Sequence, residues 1–147
     1  MEKYFGINEV SAMTGLTTRT LRNYIKSGVL IGEKVEGIWR FAETDFEKFI
    51  SNPNVKPSIR AKNNALVYDF LLDGKKKVNQ ICTIIDLYEK DGNPRDLSRW
   101  FCDYINHNKE EDIRFTFEKN GANVRIILKG REQFVIKMLN TYNKEAS

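Results

Sequence analysis

Residues 5–50 are the most informative stretch of this 147-residue chain, because they predict two short helices, a hairpin and a third helix in succession. In the first helix, residues 7–14, apolar side chains recur at i, i+3 and i+6 and form one stripe. Gly15 ends this helix, since glycine accepts the positive φ that a helix C-terminus often needs. Thr17 can then cap a second helix with its hydroxyl. Two helices joined by so short a turn indicate a helix-turn-helix.

The second helix, predicted over residues 18–27, turns its polar side chains outward. In a helix-turn-helix this helix enters the major groove of DNA. Arginine can bind O6 and N7 of guanine and asparagine N6 and N7 of adenine, so Arg19, Arg22 and Asn23 have the chemistry to read base edges. Thr20 can contact a thymine methyl group. The candidate DNA-binding residues of this helix are Thr18, Arg19, Thr20, Arg22, Asn23, Tyr24 and Lys26.

These polar residues have a simpler interpretation as the solvated face of an amphipathic helix, with Leu21 and Ile25 on the buried face. For any one residue taken alone, that interpretation is the stronger. The short turn before the helix and the hairpin after it favour DNA binding for the whole set.

A hairpin is predicted next, with residues 29–31 pairing with residues 38–41 across a loop at 32–37. Such a hairpin is the wing of a winged helix-turn-helix. Lys34 near its tip and Arg40 in its second strand could each contact a phosphate, which positions a protein on DNA without reading sequence.

Strand alternation places Trp39 and Phe41 on the face of the hairpin opposite Ile38 and Arg40. Packing beneath the wing is therefore favoured for Trp39 over stacking on DNA. A third helix is predicted to begin near Thr44 as N-cap, since acidic residues lie in its first turn. The residues expected to close this small core are Phe46, Phe49 and Ile50.

The run INEVSAMTGLTTRTLRNYIKSGVL resembles the start of the MerR-type regulators. Their pattern has Thr-Leu-Arg-x-Tyr in the second helix, followed by Gly-Leu/Val-Leu. The matching residues are Thr20, Leu21, Arg22, Tyr24, Gly28, Val29 and Leu30. In that family the arginine and the tyrosine lie at the DNA backbone or in the groove, a role that the resemblance implies for Arg22 and Tyr24.

The wing differs from the pattern of that family. A MerR-type wing usually reads Gly-Tyr-Arg-x-Tyr, whereas residues 37–41 read Gly-Ile-Trp-Arg-Phe and leave only Arg40 to serve as the wing arginine. This sequence is closer to the related excisionase-like winged helices. The resemblance covers about the first third of the chain.

The net charge of +4 lies outside the segment predicted to read DNA. Residues 1–50 hold seven Lys or Arg against seven Asp or Glu, residues 51–77 hold six against two, and the remainder holds eleven against eleven. The zero net charge of residues 1–50 weakens the case for DNA binding, since non-specific binding to DNA depends on Lys and Arg side chains that neutralise phosphates. Lys56, Arg60 and Lys62 could compensate by reaching the flanking DNA backbone.

The two cysteines, Cys82 and Cys102, have apolar neighbours and are expected in the core without a disulfide. With no signal peptide and no long apolar run, the sequence predicts a cytoplasmic protein. The only histidine, His107, lies about 140° around the helix axis from Cys102, so the two cannot act together as nucleophile and base. No phosphate-binding loop or metal-ligand spacing occurs, so neither an enzyme nor a cofactor is expected.

Two prolines, Pro53 and Pro57, mark a boundary, after which Ser58 is expected to cap a helix reaching Leu72. In MerR-type proteins a helix leaving the DNA-binding head pairs with its twin. By resemblance, residues 65–72 would contribute to a homodimer; packing against the rest of the same chain is an equal alternative.

The C-terminal half is predicted to follow a β-α-β-β-α order. Its elements are a strand at 78–87, a helix at 95–108, strands at 113–117 and 124–128 joined at Asn120-Gly121, and a helix at 132–142. The first strand also fits a helix, because apolar residues recur there at i, i+3. A sheet edge or face could serve dimerisation or bind a small effector, and self-association is favoured.

The sequence therefore predicts an α+β protein in three parts: a winged helix-turn-helix DNA-binding domain at 1–52, a linker and connecting helix at 53–77, and a dimerisation or effector-sensing domain at 78–147. The expected function is a homodimeric, sequence-specific regulator of transcription that binds double-stranded DNA and no membrane. Two alternatives stay open, an excisionase-like architectural factor and a protein-interaction adaptor that has lost DNA binding.

Overall fold

The computed structural model of the protein describes residues 4–88 and 94–146. The N-terminal half contains β1 (Tyr4–Gly6), α1 (Ile7–Thr14), α2 (Thr18–Lys26), β2 (Glu33–Val35), β3 (Ile38–Ala42), α3 (Glu43–Ser51) and α4 (Lys56–Leu72). The C-terminal half contains β4 (Gln80–Tyr88), α5 (Pro94–His107), a 3₁₀ helix (Lys109–Glu111), β5 (Arg114–Asn120), β6 (Asn123–Arg131) and α6 (Glu132–Ala146). The predicted α+β class is confirmed. None of the helices in these ranges is both long and apolar enough to cross a membrane.

Helices α1 and α2 and the turn between them form as predicted. Gly15 ends α1 in the left-handed region, with a φ of 76°. The Thr17 hydroxyl accepts a hydrogen bond from the N–H of Thr20 at 3.1 Å and so caps α2. On the inner side of α2, Leu21 is fully buried. The turn thus fixes α2 against α1.

The strand predicted at residues 29–31 is wrong. The backbone N–H groups of Val29 and Leu30 both donate to the carbonyl of Tyr24, at 2.9 and 3.1 Å. They satisfy a carbonyl that the end of α2 would otherwise leave unpaired. These two amides therefore complete the C-terminal end of the helix and do not pair in a sheet.

The hairpin instead consists of β2 and β3, with Lys34 opposite Trp39 in the register. Glu36 and Gly37 form its turn with φ values of 51° and 81°. Positive φ at both central residues is the mark of a type I′ turn, whose twist matches that of the flanking strands. The hairpin is therefore shorter and tighter than the sequence predicts.

The N-terminal sheet has the antiparallel order β1-β3-β2. Strand β1 was not predicted, because its three residues pair with a distant segment and carry no local turn signal. Phe5 lies opposite Phe41 in this pairing, and both side chains are fully buried. Gly32 packs directly against the Phe41 ring, since a Cβ at position 32 would lie 2.5 Å from a ring carbon.

Two helices begin earlier than predicted. Helix α3 starts at Glu43 with Ala42 as N-cap, so Thr44 lies inside the first turn and is not the cap. Helix α4 starts at Lys56 and includes Pro57 in its first turn, where the missing N–H costs no hydrogen bond. Ser58 is therefore within the helix.

The C-terminal sheet has the antiparallel order β4-β6-β5. Residues 80–88 form a strand and not the helix that their apolar spacing also allowed. Strand β6 extends beyond the predicted end at residue 128, through Gly130, to Arg131. One sheet face packs against α5 and α6, and the buried residues of this layer include Phe101, Phe117, Ile126, Leu128, Val135 and Met138. The β-α-β-β-α order is confirmed, with the 3₁₀ helix added.

Buried side chains of both halves belong to one hydrophobic cluster. The Glu118 carboxylate on β5 accepts hydrogen bonds from Arg60 Nε at 3.0 Å and Asn63 Nδ2 at 3.2 Å, both on α4. From α5, Arg99 donates to the carbonyl of Tyr4 at 2.8 Å and lies 4.9 Å above the Phe5 ring. These contacts join the head to the C-terminal sheet, while the division at 1–52, 53–77 and 78–147 stays a prediction.

Candidate nucleic-acid interface

One face of α2 carries an exposed polar stripe. The stripe consists of Arg19, Arg22, Asn23 and Lys26, all exposed. Their spacing of i, i+3, i+4 and i+7 places them on one side of a helix. Helix α2 contains no acidic residue, and no carboxylate within residues 4–88 and 94–146 forms a salt bridge with these cations. The stripe therefore presents three positive charges and an amide to solvent.

The other three candidates on α2 serve its structure. Thr20 takes part in the helix cap, and its hydroxyl accepts a hydrogen bond from Thr17 at 3.0 Å. The Thr18 hydroxyl accepts from Arg22 Nη1 at 3.4 Å. Tyr24 is half-buried, with its ring edge-to-face against Phe49 at a centroid distance of 5.4 Å. These side chains border the stripe but are not part of it.

Lys34 and Trp39 share one face of the hairpin. The Lys34 ammonium is exposed and lies 5.7 Å from the centroid of the Trp39 ring. Trp39 is half-buried against the core and stacks on Phe41 with the ring planes 12° apart. The predicted packing of Trp39 is confirmed, and Lys34 stays available at the surface.

Arg40 is already engaged on the other face of the hairpin. Its guanidinium pairs with the Glu33 carboxylate on the neighbouring strand and lies 4.3 Å above the Tyr4 ring. A phosphate at this position would have to compete with Glu33. The sequence did not show this pairing, because its prediction placed Glu33 in the loop.

The expectation that Lys56, Arg60 and Lys62 extend toward flanking DNA is not supported. Arg60 pairs with the buried Glu118 carboxylate at an N–O distance of 2.9 Å, so a phosphate at this position would have to compete with Glu118. Lys56 reaches Asn120 Oδ1 at 3.4 Å. Lys62 lies beside Gly15.

The helix pair, the left-handed turn and the exposed stripe can be compared with known proteins. Residues 4–53 match the family model of the helix-turn-helix domain. The N-terminal region is therefore a helix-turn-helix domain of the DNA-binding class. A search of curated proteins and a search of solved structures each found no significant match.

Although the formal charges of residues 1–50 sum to zero, the exposed face of α2 is positively charged. Glu9 lies 3.5 Å from Arg99 of α5, and Glu47 pairs with Lys119 of β5. Glu43 is buried. Several acidic groups of the domain are thus directed toward cations of the C-terminal half or into the interior, and the α2 cations have no such partners among the described residues.

Reactive side chains elsewhere are few in the described ranges. Burial raises the pKa of the Cys102 thiol to about 12, so this thiol is neutral at physiological pH. A ring nitrogen of His107 lies 2.6 Å from the Asp103 carbonyl of the preceding helical turn. No group of three or more His, Cys, Asp or Glu side chains arranged to hold a metal ion occurs between residues 4 and 88 or 94 and 146.

Proposed function

We propose that the protein is a sequence-specific regulator of transcription that binds double-stranded DNA as a homodimer and is not an enzyme. The match of residues 4–53 to the helix-turn-helix domain carries the DNA-binding part of this proposal. The uncovered cationic stripe on α2 supports its placement in the major groove. The β2–β3 hairpin would then be the wing and would contact the DNA backbone through Lys34.

Within the stripe, the residue chemistry suggests two roles. Arg19 lies in the first turn of α2, the part of a recognition helix that meets base edges, and Asn23 follows it by four residues on the same exposed face. Arg22 occupies the arginine position of the Thr-Leu-Arg motif, and its contact with Thr18 orients it along the helix. We therefore assign base reading to Arg19 and Asn23 and backbone binding to Arg22.

The homodimer is supported by the exposed end of α4. Tyr68, Leu71 and Leu72 are 62%, 68% and 81% exposed there, whereas α4 fully buries only Ile59 and Asn63. The resemblance to MerR-type regulators points to the same segment for pairing. Two heads related by a two-fold axis would read half-sites about 34 Å or a multiple of that distance apart.

Selection from a random duplex library at two salt concentrations tests this function. The expected result is an enriched pseudo-palindromic motif and a steep salt dependence. Arg19→Ala or Asn23→Ala should relax the preference at particular base pairs by about 1–3 kcal/mol, and Arg22→Ala should weaken binding to every sequence and lower the salt slope by about 1. Lys109→Ala, which removes an exposed cation of the 3₁₀ helix, is the matched control.

The alternatives give different outcomes in the same experiment. Equal loss on selected and random duplex for all three stripe variants would refute the base-reading assignments. No retention of DNA at low salt would favour the adaptor. An excisionase-like factor is favoured by the wing sequence Gly-Ile-Trp-Arg-Phe, and strong bending of the selected site without any effect on an adjacent promoter would support it over the regulator.

A further inference from the structure

A groove of about 570 Å³ lies where the helix-turn-helix domain meets the C-terminal half. The turn at residues 15–17 forms one wall, and α4 contributes a second wall between Lys62 and Asp69. Strand β5 and the last part of α5 complete the groove. Its volume falls within the range of about 300–1,000 Å³ that is usual for sites of small organic ligands.

The groove is positively charged. Arg114 of β5 lies directly opposite Lys129 of β6 in the sheet register, so both side chains are on the same sheet face. Lys62 adds a third cation from α4, and Asp69 is the one lining carboxylate among the described residues. None of the three cations forms a salt bridge with a carboxylate in those ranges. A concave surface with this excess attracts anions.

Thr116 provides an observation that is independent of charge. Its side chain is 5% exposed and lines the groove, yet its hydroxyl has no hydrogen-bond partner. Thr116 follows Arg114 by two residues and therefore shares its sheet face. Buried polar atoms nearly always have a partner. The Thr116 hydroxyl oxygen is itself closed off from solvent, so a ligand oxygen would become its partner after rotation of the side chain toward the groove.

The remaining walls suit an apolar body. They include Leu16, Leu66, Ile105, Ile113 and Phe115. Cys102 also lines the groove, but its thiol is kept neutral by burial and has little nucleophilic character. The site is therefore equipped for reversible binding of an amphipathic anion.

We propose that this groove binds a small organic carboxylate, with the carboxylate held by Arg114, Lys129 and the Thr116 hydroxyl and the apolar body against Leu16 and Leu66. The proposal does not depend on DNA binding, because none of the stripe residues of α2 lines the groove. A ligand there would contact the turn that precedes α2.

Isothermal titration of the full chain with 2-naphthoate and with octanoate tests the site. At least one of them should bind saturably with one molecule per chain. The alcohol of the same skeleton should bind at least about tenfold more weakly, since it cannot make charge-assisted hydrogen bonds. Thr116→Val and Arg114→Gln should each weaken carboxylate binding by about five- to tenfold.

Three controls accompany the titrations. Thr116→Val preserves side-chain shape and removes a hydroxyl that has no partner to lose, so circular dichroism and the unfolding midpoint should show an intact fold. Lys109→Gln, an exposed cation that does not line the groove, should leave carboxylate affinity unchanged. Binding of random duplex DNA without carboxylate should be the same for Thr116→Val and the wild type, which separates this proposal from the proposed function.

The proposal is overturned if neither carboxylate binds saturably, or if the alcohol binds as tightly. It is also overturned if both groove variants retain full affinity, or if methyl NMR shifts on titration map away from Leu16, Leu66 and Ile105. Inorganic phosphate that binds as tightly as both carboxylates would overturn the role assigned to the apolar walls.

Discussion

Among single residues, Gly15 is constrained by both its backbone and its neighbours. Its φ of 76° lies in the left-handed region, and a Cβ there would be 3.0 Å from the Cβ of Lys62. We expect Gly15→Ala to lower the free energy of unfolding by about 1–2 kcal/mol, because an L-residue is strained at this φ. Urea unfolding followed by circular dichroism measures the change.

Gly74→Ala is the matched control. No atom lies within 4 Å of a Cβ at that position, and no positive φ constrains it. Alanine should leave stability unchanged or raise it slightly, because it reduces the entropy of the unfolded chain. If both alanine variants unfold at the same urea concentration, the constraint ascribed to Gly15 is incorrect.

Among the elements, α2 and α3 differ in whether a side chain caps the N-terminus of the helix. Thr17 caps α2, whereas α3 begins after Ala42, which provides no side-chain cap. We expect Thr17→Ala to cost about 1 kcal/mol of stability. Thr44→Ala alters the residue that the sequence favours as the α3 cap and should have a much smaller effect. Chemical denaturation compares the two, and a larger cost at Thr44 would reverse the assignment.

Elements with local signals were predictable from the sequence. The α1 stripe, the Gly15 turn and the second hairpin depend on residues a few positions apart, and all three occur in the structure, although the hairpin turn lies at Gly121 and Ala122, one residue later than predicted. The strand at residues 29–31 was predicted wrongly because apolar and β-branched residues favour strands. Nothing in the local sequence indicates that two of these backbone amides complete the end of α2. Strand β1 was missed because its partner β3 is distant in sequence.

The same distinction applies to the candidate interface. The exposed face of α2 followed from helical periodicity alone. The pairing of Arg40 with Glu33 and of Arg60 with Glu118 depends on strand register and on packing between the two halves. The groove could not be predicted at all, since its walls come from segments brought together only by the tertiary fold.

For the whole molecule, the shared hydrophobic cluster predicts that both halves unfold together. Trp39 reports on the helix-turn-helix domain and Trp100 on the C-terminal half, so Trp39→Phe and Trp100→Phe each leave a single tryptophan whose fluorescence can be excited selectively. The fluorescence transition of each variant in urea should coincide with its own transition by circular dichroism. A variant whose two transitions separate by more than the fitting error would show that the halves unfold independently.

The contact of Arg99 with the Tyr4 carbonyl spans 95 positions of sequence, and it has a consequence for synthesis on the ribosome. Strand β1 leaves the exit tunnel well before the Arg99 guanidinium that donates to it, because 95 positions separate the two residues. The helix-turn-helix domain is therefore complete only when α5 docks, and a nascent chain stalled before that helix would hold β1 without this hydrogen bond.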